Sequence, residues 1–426
     1  MPSLIVDGGS LDYAFKGTTF KTSQIKSIAK KIIDRTRKTL NNNCIVVISH
    51  PDEDHYNWII PILTQCKVLN SVFWVTHVYL GGKIDFYDVD LQAELKKLKE
   101  HPTFPTILVF PSETTPTTVV HFIASHNNTL YSLLPALPCN TTKAKNDASL
   151  VVYVEHEGKV CLLTGDATKK TTDHILAHIP ALKTDVLLAS HHGSSEEGCN
   201  DSNWLQKVKP TSIIISSGLK HTHPHEEAIL RFQNTLPPPA LGASHHLLAY
   251  GLAKETKVTP NLTYDRGYGI KSVAQNIFGT LRHGTITLLL KADGTTSFAG
   301  MPAPGDNTEK SLSILGGCLA NNPDVFSLSF LRSLDLRNVG VSDVNVAEKD
   351  ALIVLLKELS RGNHMLLSTL NFNDTNISHK DTIDALTELV RQNPELRKLV
   401  LQAATFPAPA SVAITTAWNN RGLTFS

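Results

Sequence analysis

Each dense cluster of potential metal ligands in this chain stands at the downstream end of a short apolar run. Cys44-Ile45-Val46-Val47-Ile48-Ser49 leads into His50-Pro51-Asp52-Glu53-Asp54-His55, and Val160-Cys161-Leu162-Leu163-Thr164 leads into Gly165-Asp166. Asp185-Val186-Leu187-Leu188-Ala189-Ser190 leads into His191-His192-Gly193, and Ile213-Ile214-Ile215 precedes His221-Thr222-His223-Pro224-His225. Runs of this length, rich in β-branched residues, read as buried strands, and open α/β sheets carry their sites where the strands end. The pattern predicts an α/β protein whose strands deliver His and Asp to one place. Leu4-Ile5-Val6 ends in Asp7-Gly8-Gly9, and Asp7 reads as a turn former near the site rather than a ligand.

Between these runs the apolar spacing turns helical, over 23–40, from Trp58, over 91–99 and over 172–178, with a further strand at 72–78. The basic residues of 23–40 read as a solvated face. Glu157-Gly158 and Asp293-Gly294 mark hairpins, the second closing an N-terminal domain over residues 1–300. Leu236-Pro237-Pro238-Pro239 breaks the pattern, so 236–272 reads as an irregular insertion, and 301–310 as a linker. Residues 311–426 follow another grammar: L-x-x-L-x-L begins at Leu331, Leu367 and Leu396, with amphipathic helices at 347–359 and 381–392 between. A strand and a helix per unit resembles leucine-rich repeats of the ribonuclease-inhibitor type, which implies an α/β repeat subdomain that binds a partner or caps the first domain.

With 40 basic and 39 acidic residues the chain announces no global field for nucleic acid or an anionic membrane, although a local groove would suffice. The six cysteines lack CxxC spacing and read as reduced, small hydrophobes. No apolar stretch reaches membrane-spanning length and the first residues lack signal-peptide character, so the expected place is the cytoplasm, or another cell reached without a classical signal.

Most of the 19 histidines stand alone in sequence and default to surface or core. His50, Asp52, Asp54 and His55, with Asp166, one of His191 and His192, and His223, make two sets of nitrogen and oxygen ligands, as a dinuclear Zn²⁺ or Mn²⁺ site requires. These motifs, with Asn146-Asp147-Ala148-Ser149 and Gly284-Thr285-Ile286-Thr287, stand in an order that resembles the metallo-β-lactamase-fold hydrolases. More narrowly, residues 4–298 resemble the hydrolase domain of ComEC-type DNA-uptake proteins. The resemblance implies an αββα sandwich with ligands on loops at one edge. Asp52 departs from the second loop histidine of most relatives, and Asn146 and Asp147 stand where another histidine is usual, so His191 or His192 is expected to substitute.

The roles then expected place His50, Asp52 and one of His191/His192 on a first ion, Asp54, His55 and His223 on a second, and Asp166 between them. Asp54 would also orient the attacking water. His225 or His221 would contact an anionic substrate or protonate a leaving group, or be a solvated loop residue. The function so implied is a metal-dependent phosphodiesterase or nuclease acting on DNA or RNA. The alternatives are a small-substrate enzyme like the phosphorylcholine esterases, and a non-catalytic protein-binding effector with the metal domain as scaffold.

Overall fold

The computed structural model describes residues 3–7, 18–38, 43–82, 84–97, 107–110, 118–124, 145–217, 223–237, 244–251, 267–274, 276–280, 286–290, 293, 295–299, 312, 333–336, 346–361, 367–372, 377–400 and 408–420. The chain is mixed α/β and divides into two compact units: 1–216 with 234–237 and 286–300, and 217–233 with 238–285 and 301–426. The stretch 301–310, expected to be a linker, lies outside the described residues.

The first unit contains β1 (Ser3–Val6), α1 (Thr18–Lys38), β2 (Asn43–Ile48), α2 (Glu53–Tyr56), α3 (Ile59–Leu69), β3 (Trp74–Leu80), α4 (Val89–Lys97), β4 (Ile107–Phe110) and β5 (Thr118–Ala124). It continues with β6 (Val151–His156), β7 (Lys159–Leu163), α5 (Lys169–His178), β8 (Val186–Leu188), α6 (Ser202–Val208) and β9 (Ser212–Ile215). β1, β2 and β3 form one parallel sheet. A second sheet has the order β9-β8-β7-β6-β5-β4, parallel from β9 to β7 and antiparallel from β7 to β4.

The alternation of β2 explains why its sequence is apolar throughout. Ile45 and Val47 pack with Tyr79, Val120, Phe122, Leu150 and Val152, which joins the two sheets face to face. Cys44, Val46 and Ile48 point the other way, into a core with Ile25, Ala29 and Ile33 of α1 and Ile59, Ile62 and Cys66 of α3. Helices therefore cover the outer face of the smaller sheet, while α5 lies beside α6 and β5.

One glycine fixes how closely the sheets' loops approach. A Cβ on Gly81 would stand 1.7 Å from the Ser49 carbonyl oxygen and 2.7 Å from that of Ala148. The Gly81 amide donates to Ile48 O at 2.8 Å, and its carbonyl accepts from the Tyr87 hydroxyl at 2.7 Å, so the backbone is held on both sides. Gly81→Ala should cost about 3 kcal/mol or more by this overlap with backbone. Urea unfolding checks it, and an unchanged midpoint would contradict the packing described.

The second unit holds β10 (Ser244–Gly251), β11 (Gly267–Ala274), β12 (Ile277–Gly279), β15 (Ser333–Asp335), α8 (Val346–Ser360), β16 (Thr369–Asn371), α9 (Lys380–Gln392), β17 (Lys398–Val400) and α10 (Ala408–Asn419), while β13 (Thr287–Leu290) and β14 (Thr296–Ala299) pair as a hairpin in the first unit. The boundary between units falls within α7 (Glu226–Thr235). Residues 236–272, read from sequence as irregular, contain β10 and most of β11, paired antiparallel over eight residues each. Ser244-His245-His246 begins β10 with polar residues, so local pattern gave no strand signal.

β11, β15, β16 and β17 run parallel, with Leu334, Leu370 and Leu399 in register. These leucines, with Leu336, Leu367, Phe372 and Leu396, share one core with Leu352, Leu355 and Leu356 of α8 and Leu386, Leu389 and Val390 of α9. The described positions of the L-x-x-L-x-L pattern thus face inward. Among the described residues no helix is long and apolar enough to cross a membrane. Cys44, Cys66, Cys161 and Cys199 are buried free thiols, and burial pushes the last three up to about 12. Cys139 and Cys318 lie outside the described residues.

Candidate metal centre

Five strand ends of the first unit supply this centre. β1 ends at Asp7, β2 at the Ser49–His55 loop, β7 at Asp166, β8 at His191 and His192, and β9 at Ser216. Hydrogen bonds tie the two sheets together there: Leu150 N donates to Ser49 O at 2.7 Å, and Asp166 N donates to Ser149 Oγ at 3.1 Å. Gly165, at φ +53°, lets the chain turn into Asp166; a Cβ on it would meet the Ser49 side chain at 2.6 Å.

Asp166 is the hub, only 4% exposed. Its Oδ2 lies 3.6 Å from His50 Nε2 and 3.6 Å from His191 Nε2. Its Oδ1 lies 3.3 Å from His55 Nε2 and 3.7 Å from His192 Nε2. Asp52 Oδ2 extends the first set, 3.4 Å from His50 Nε2. Asp54 Oδ2 extends the second, 3.4 Å from His192 Nε2 and 4.0 Å from His55 Nε2.

These separations exceed the usual N–H···O length of about 2.7–3.2 Å. They suit atoms arranged around an ion, since two ligands each about 2.1 Å from a cation lie roughly 3–4 Å apart. Among the described residues, buried His50 Nε2, His55 Nε2 and Asp166 Oδ1 have no hydrogen-bond partner, a condition that a bound ion resolves. His50, His55 and Asp166 bring one ligand atom each within 4.8 Å of one another, and so do Asp54, His55 and His192. The donor set fits a divalent cation, and these buried His and Asp groups could hold one.

The second nitrogen of each ring is also engaged. His55 Nδ1 is 2.9 Å from Asp7 Oδ2, His50 Nδ1 is 3.0 Å from Ser49 Oγ, and His192 Nδ1 donates to Ser216 O at 2.7 Å. His191 Nδ1 lies 3.8 Å from Cys199 Sγ. Holding Nδ1 orients Nε2 inward, as outer groups do around metal-ligating imidazoles. Asp7 also accepts from Ser49 N at 2.7 Å and Ser49 Oγ at 2.8 Å, so it acts through His55 and the loop.

Charge in the cluster is balanced internally. Burial opposes ionisation of Asp166, but the His55, His192 and His50 imidazoles outweigh it and hold the carboxyl well below the usual range. Burial likewise opposes ionisation of Asp54, and His192 and His55 bring it down. Burial would lower His55, yet Asp166 and Asp7 raise it well above the usual histidine value; His192 is raised against burial by Asp166 and Asp54. Burial lowers His191. Protons on His55 and His192 thus stand where a cation's charge is wanted.

Both members of the adjacent histidine pair enter the cluster, one on each oxygen of Asp166, where the sequence left open which would. Neither three-ligand group includes His223 or His225. Those two belong to the second unit, where both are buried, their rings are 4.7 Å apart, and His225 bridges to Tyr250. His221 lies outside the described residues. Asn146 and Asp147 occupy a short 3₁₀ turn in which Asp147 accepts from Thr168 Oγ1 and Lys170 Nζ, anchoring the turn to the start of α5.

Sequence reasoning missed three contributors. Lys145 Nζ, about a third exposed, pairs with Asp52 Oδ1 at 2.9 Å and donates to Pro51 O at 3.2 Å. Burial raises Asp52, and His50 and Lys145 more than offset it, leaving that carboxyl below its ordinary value. The others are the Ser216 carbonyl and the Asn200 side chain, which bonds to Ser190 and Ser194 on either side of the His191-His192 turn; a lone lysine, a backbone oxygen and a lone asparagine carry no motif.

The chain is similar to ComE operon protein 3 of Bacillus subtilis (strain 168), with 35% identity over 92 residues. That stretch covers 21% of this chain and 12% of the relative, so the similarity is confined to a small part of the relative's length. No protein-family model matches the chain.

Proposed function

We propose that this chain is a metal-dependent phosphodiesterase of the metallo-β-lactamase type, with a nucleic-acid strand as its substrate class. The observation that carries the reading is Asp166, whose Oδ2 faces His50 and His191, with Asp52 beside His50, and whose Oδ1 faces His55 and His192, with Asp54 beside both. We read this as two cation positions sharing one carboxylate. Divalent ions held by these residues would supply Lewis-acid polarisation of a phosphoryl oxygen and a nucleophilic water at neutral pH. The face-to-face sheets of the first unit and the partial similarity to ComE operon protein 3 support the family assignment. The inward leucines of β15, β16 and β17 support reading the second unit's strand and helix units as leucine-rich repeats.

The protein's own groups divide the remaining work. Asp54, held ionised, accepts a hydrogen bond from water and orients it. The Asp7 carboxylate holds the proton on His55 Nδ1, leaving Nε2 its lone pair. Lys145 sets a partly exposed ammonium beside Asp52, where it can pair with a non-bridging phosphate oxygen.

The deciding experiment is metal analysis of the purified chain, then assays on single-stranded DNA, RNA and bis-p-nitrophenyl phosphate with Zn²⁺ or Mn²⁺. Chelator-sensitive hydrolysis is expected; no turnover of any of the three would sink the reading. Lys145→Met should raise KM about tenfold or more, the worth of a charge-assisted contact, with kcat little changed and Lys145→Arg near wild type. Equal KM in all three proteins would remove Lys145 from the substrate path.

A further inference from the structure

Adjacent residues ordinarily send their side chains in divergent directions, yet His191 and His192 both aim Nε2 at Asp166, one at each oxygen. The backbone makes this possible by placing both in the left-handed region, at φ 49°, ψ 50° and φ 54°, ψ 25°. Two successive non-glycine residues there are strained, and such strain persists only where surrounding contacts over-determine it. Something must therefore hold both ends of the turn.

Asn200 does so. Its carboxamide, in a residue 1% exposed, accepts from Ser190 N at 3.0 Å through Oδ1 and donates through Nδ2 to Ser190 O and to Ser194 O, each at 2.8 Å. Ser190 and Ser194 bracket His191, His192 and Gly193, so one side chain clamps the turn at both ends. Asparagine alone among small side chains offers one acceptor and two donors in this arrangement; aspartate would set oxygen against two carbonyls. Asn200 itself sits at φ 54°, a conformation asparagine tolerates better than most residues. The preceding residue, Cys199, places Sγ 3.8 Å from His191 Nδ1, so the same segment supports one of the rings.

We propose that Asn200 is a positioning residue for the metal centre: its carboxamide clamp holds His191 and His192 in the strained turn that assigns one imidazole to each side of Asp166. This rests on reading the His and Asp cluster as a metal centre. Loss of the clamp lets the turn relax toward ordinary backbone angles, which withdraws one or both imidazoles while leaving the cores of the fold in place.

The test is Zn²⁺ titration of the full chain against a chromophoric chelator, using wild type, Asn200→Gly and Ile62→Ala. Glycine accepts the left-handed angle, so Asn200→Gly removes the clamp without adding strain. Ile62→Ala weakens the core behind the first sheet and controls for lost stability. Asn200→Gly should bind Zn²⁺ about 10- to 100-fold more weakly, the usual worth of an outer group that orients ligands. Its Co²⁺ derivative should show an altered visible spectrum, and Ile62→Ala should match wild type in both. Equal Zn²⁺ affinity and Co²⁺ spectrum in Asn200→Gly and wild type would overturn the clamp alone, whereas a wild type that binds no metal would overturn the clamp together with the metal-centre reading. If Asn200→Gly is recovered only unfolded, wild-type NMR decides. The Asn200 amide protons should then exchange slowly and shift on Zn²⁺ addition, and fast exchange without a shift overturns the clamp.

Discussion

Asp166→Asn is expected to lose tight divalent-metal binding on both sides of the cluster and to lower phosphodiester hydrolysis by about a thousandfold or more, several kcal/mol of transition-state stabilisation. The substitution keeps the shape of the side chain and the Asp166 N to Ser149 Oγ bond, so the fold has little reason to change. It removes the charge that four imidazoles face and leaves an amide with a single carbonyl oxygen to offer where the carboxylate offers two. It also turns an N–H toward an Nε2 that should carry only a lone pair for metal. Because both ligand sets share this residue, the loss should be of both ions together; Asp52→Asn, on the first set alone, should spare the second. Metal stoichiometry by inductively coupled plasma mass spectrometry, read beside thermal unfolding, checks this. Two metal equivalents in Asp166→Asn, or turnover within tenfold of wild type, would overturn the shared-carboxylate arrangement.

What the sequence reveals of this centre depends on whether chemistry and position coincide along the chain. The Ser49–His55 loop, Asp166 and the His191-His192 pair are legible because candidate ligand residues stand directly after apolar strands, and the strands place them. The assignment of both histidines was hidden, because it depends on two left-handed residues in succession and no residue type announces that. Lys145 and Asn200 were hidden for another reason. Lys145 acts across the fold, on Asp52, whereas Asn200 folds back on the nearby Ser190–Ser194 turn, and only the folded loop gives a lone Asn its partners. In the second unit, the repeated leucines foretold the inward faces of β15, β16 and β17, whereas β10 owes its strand to pairing with β11 over a sequence that starts with Ser and His.

Metal affinity should rise steeply with pH between about 6 and 8, by about tenfold per pH unit for each proton displaced. The cause lies in His55 and His192. Against the effect of burial, Asp166 with Asp7 raises the first, and Asp166 with Asp54 the second, so in the metal-free protein both hold protons above the usual histidine range. A cation must expel those protons to reach Nε2. His191, lowered by burial, is already neutral and adds nothing to the slope above its ordinary value. Stability follows with a definite sign. A histidine whose folded pKa is raised stabilises the metal-free fold fully below its unfolded value of about 6.5, and the contribution fades as pH rises through the folded value. Asp166, held low, contributes above about 3.9 and loses that contribution only as pH falls through its folded value. The metal-free protein should therefore weaken as pH climbs past neutrality, while the Zn²⁺-loaded protein, in which the cation replaces the lost protons, should not. Melting temperatures with Zn²⁺ and with a chelator should diverge as pH is raised from about 6 to 8. A gap that stays constant or narrows over that range would mean that His55 and His192 surrender no protons to the metal, and would remove them from its coordination.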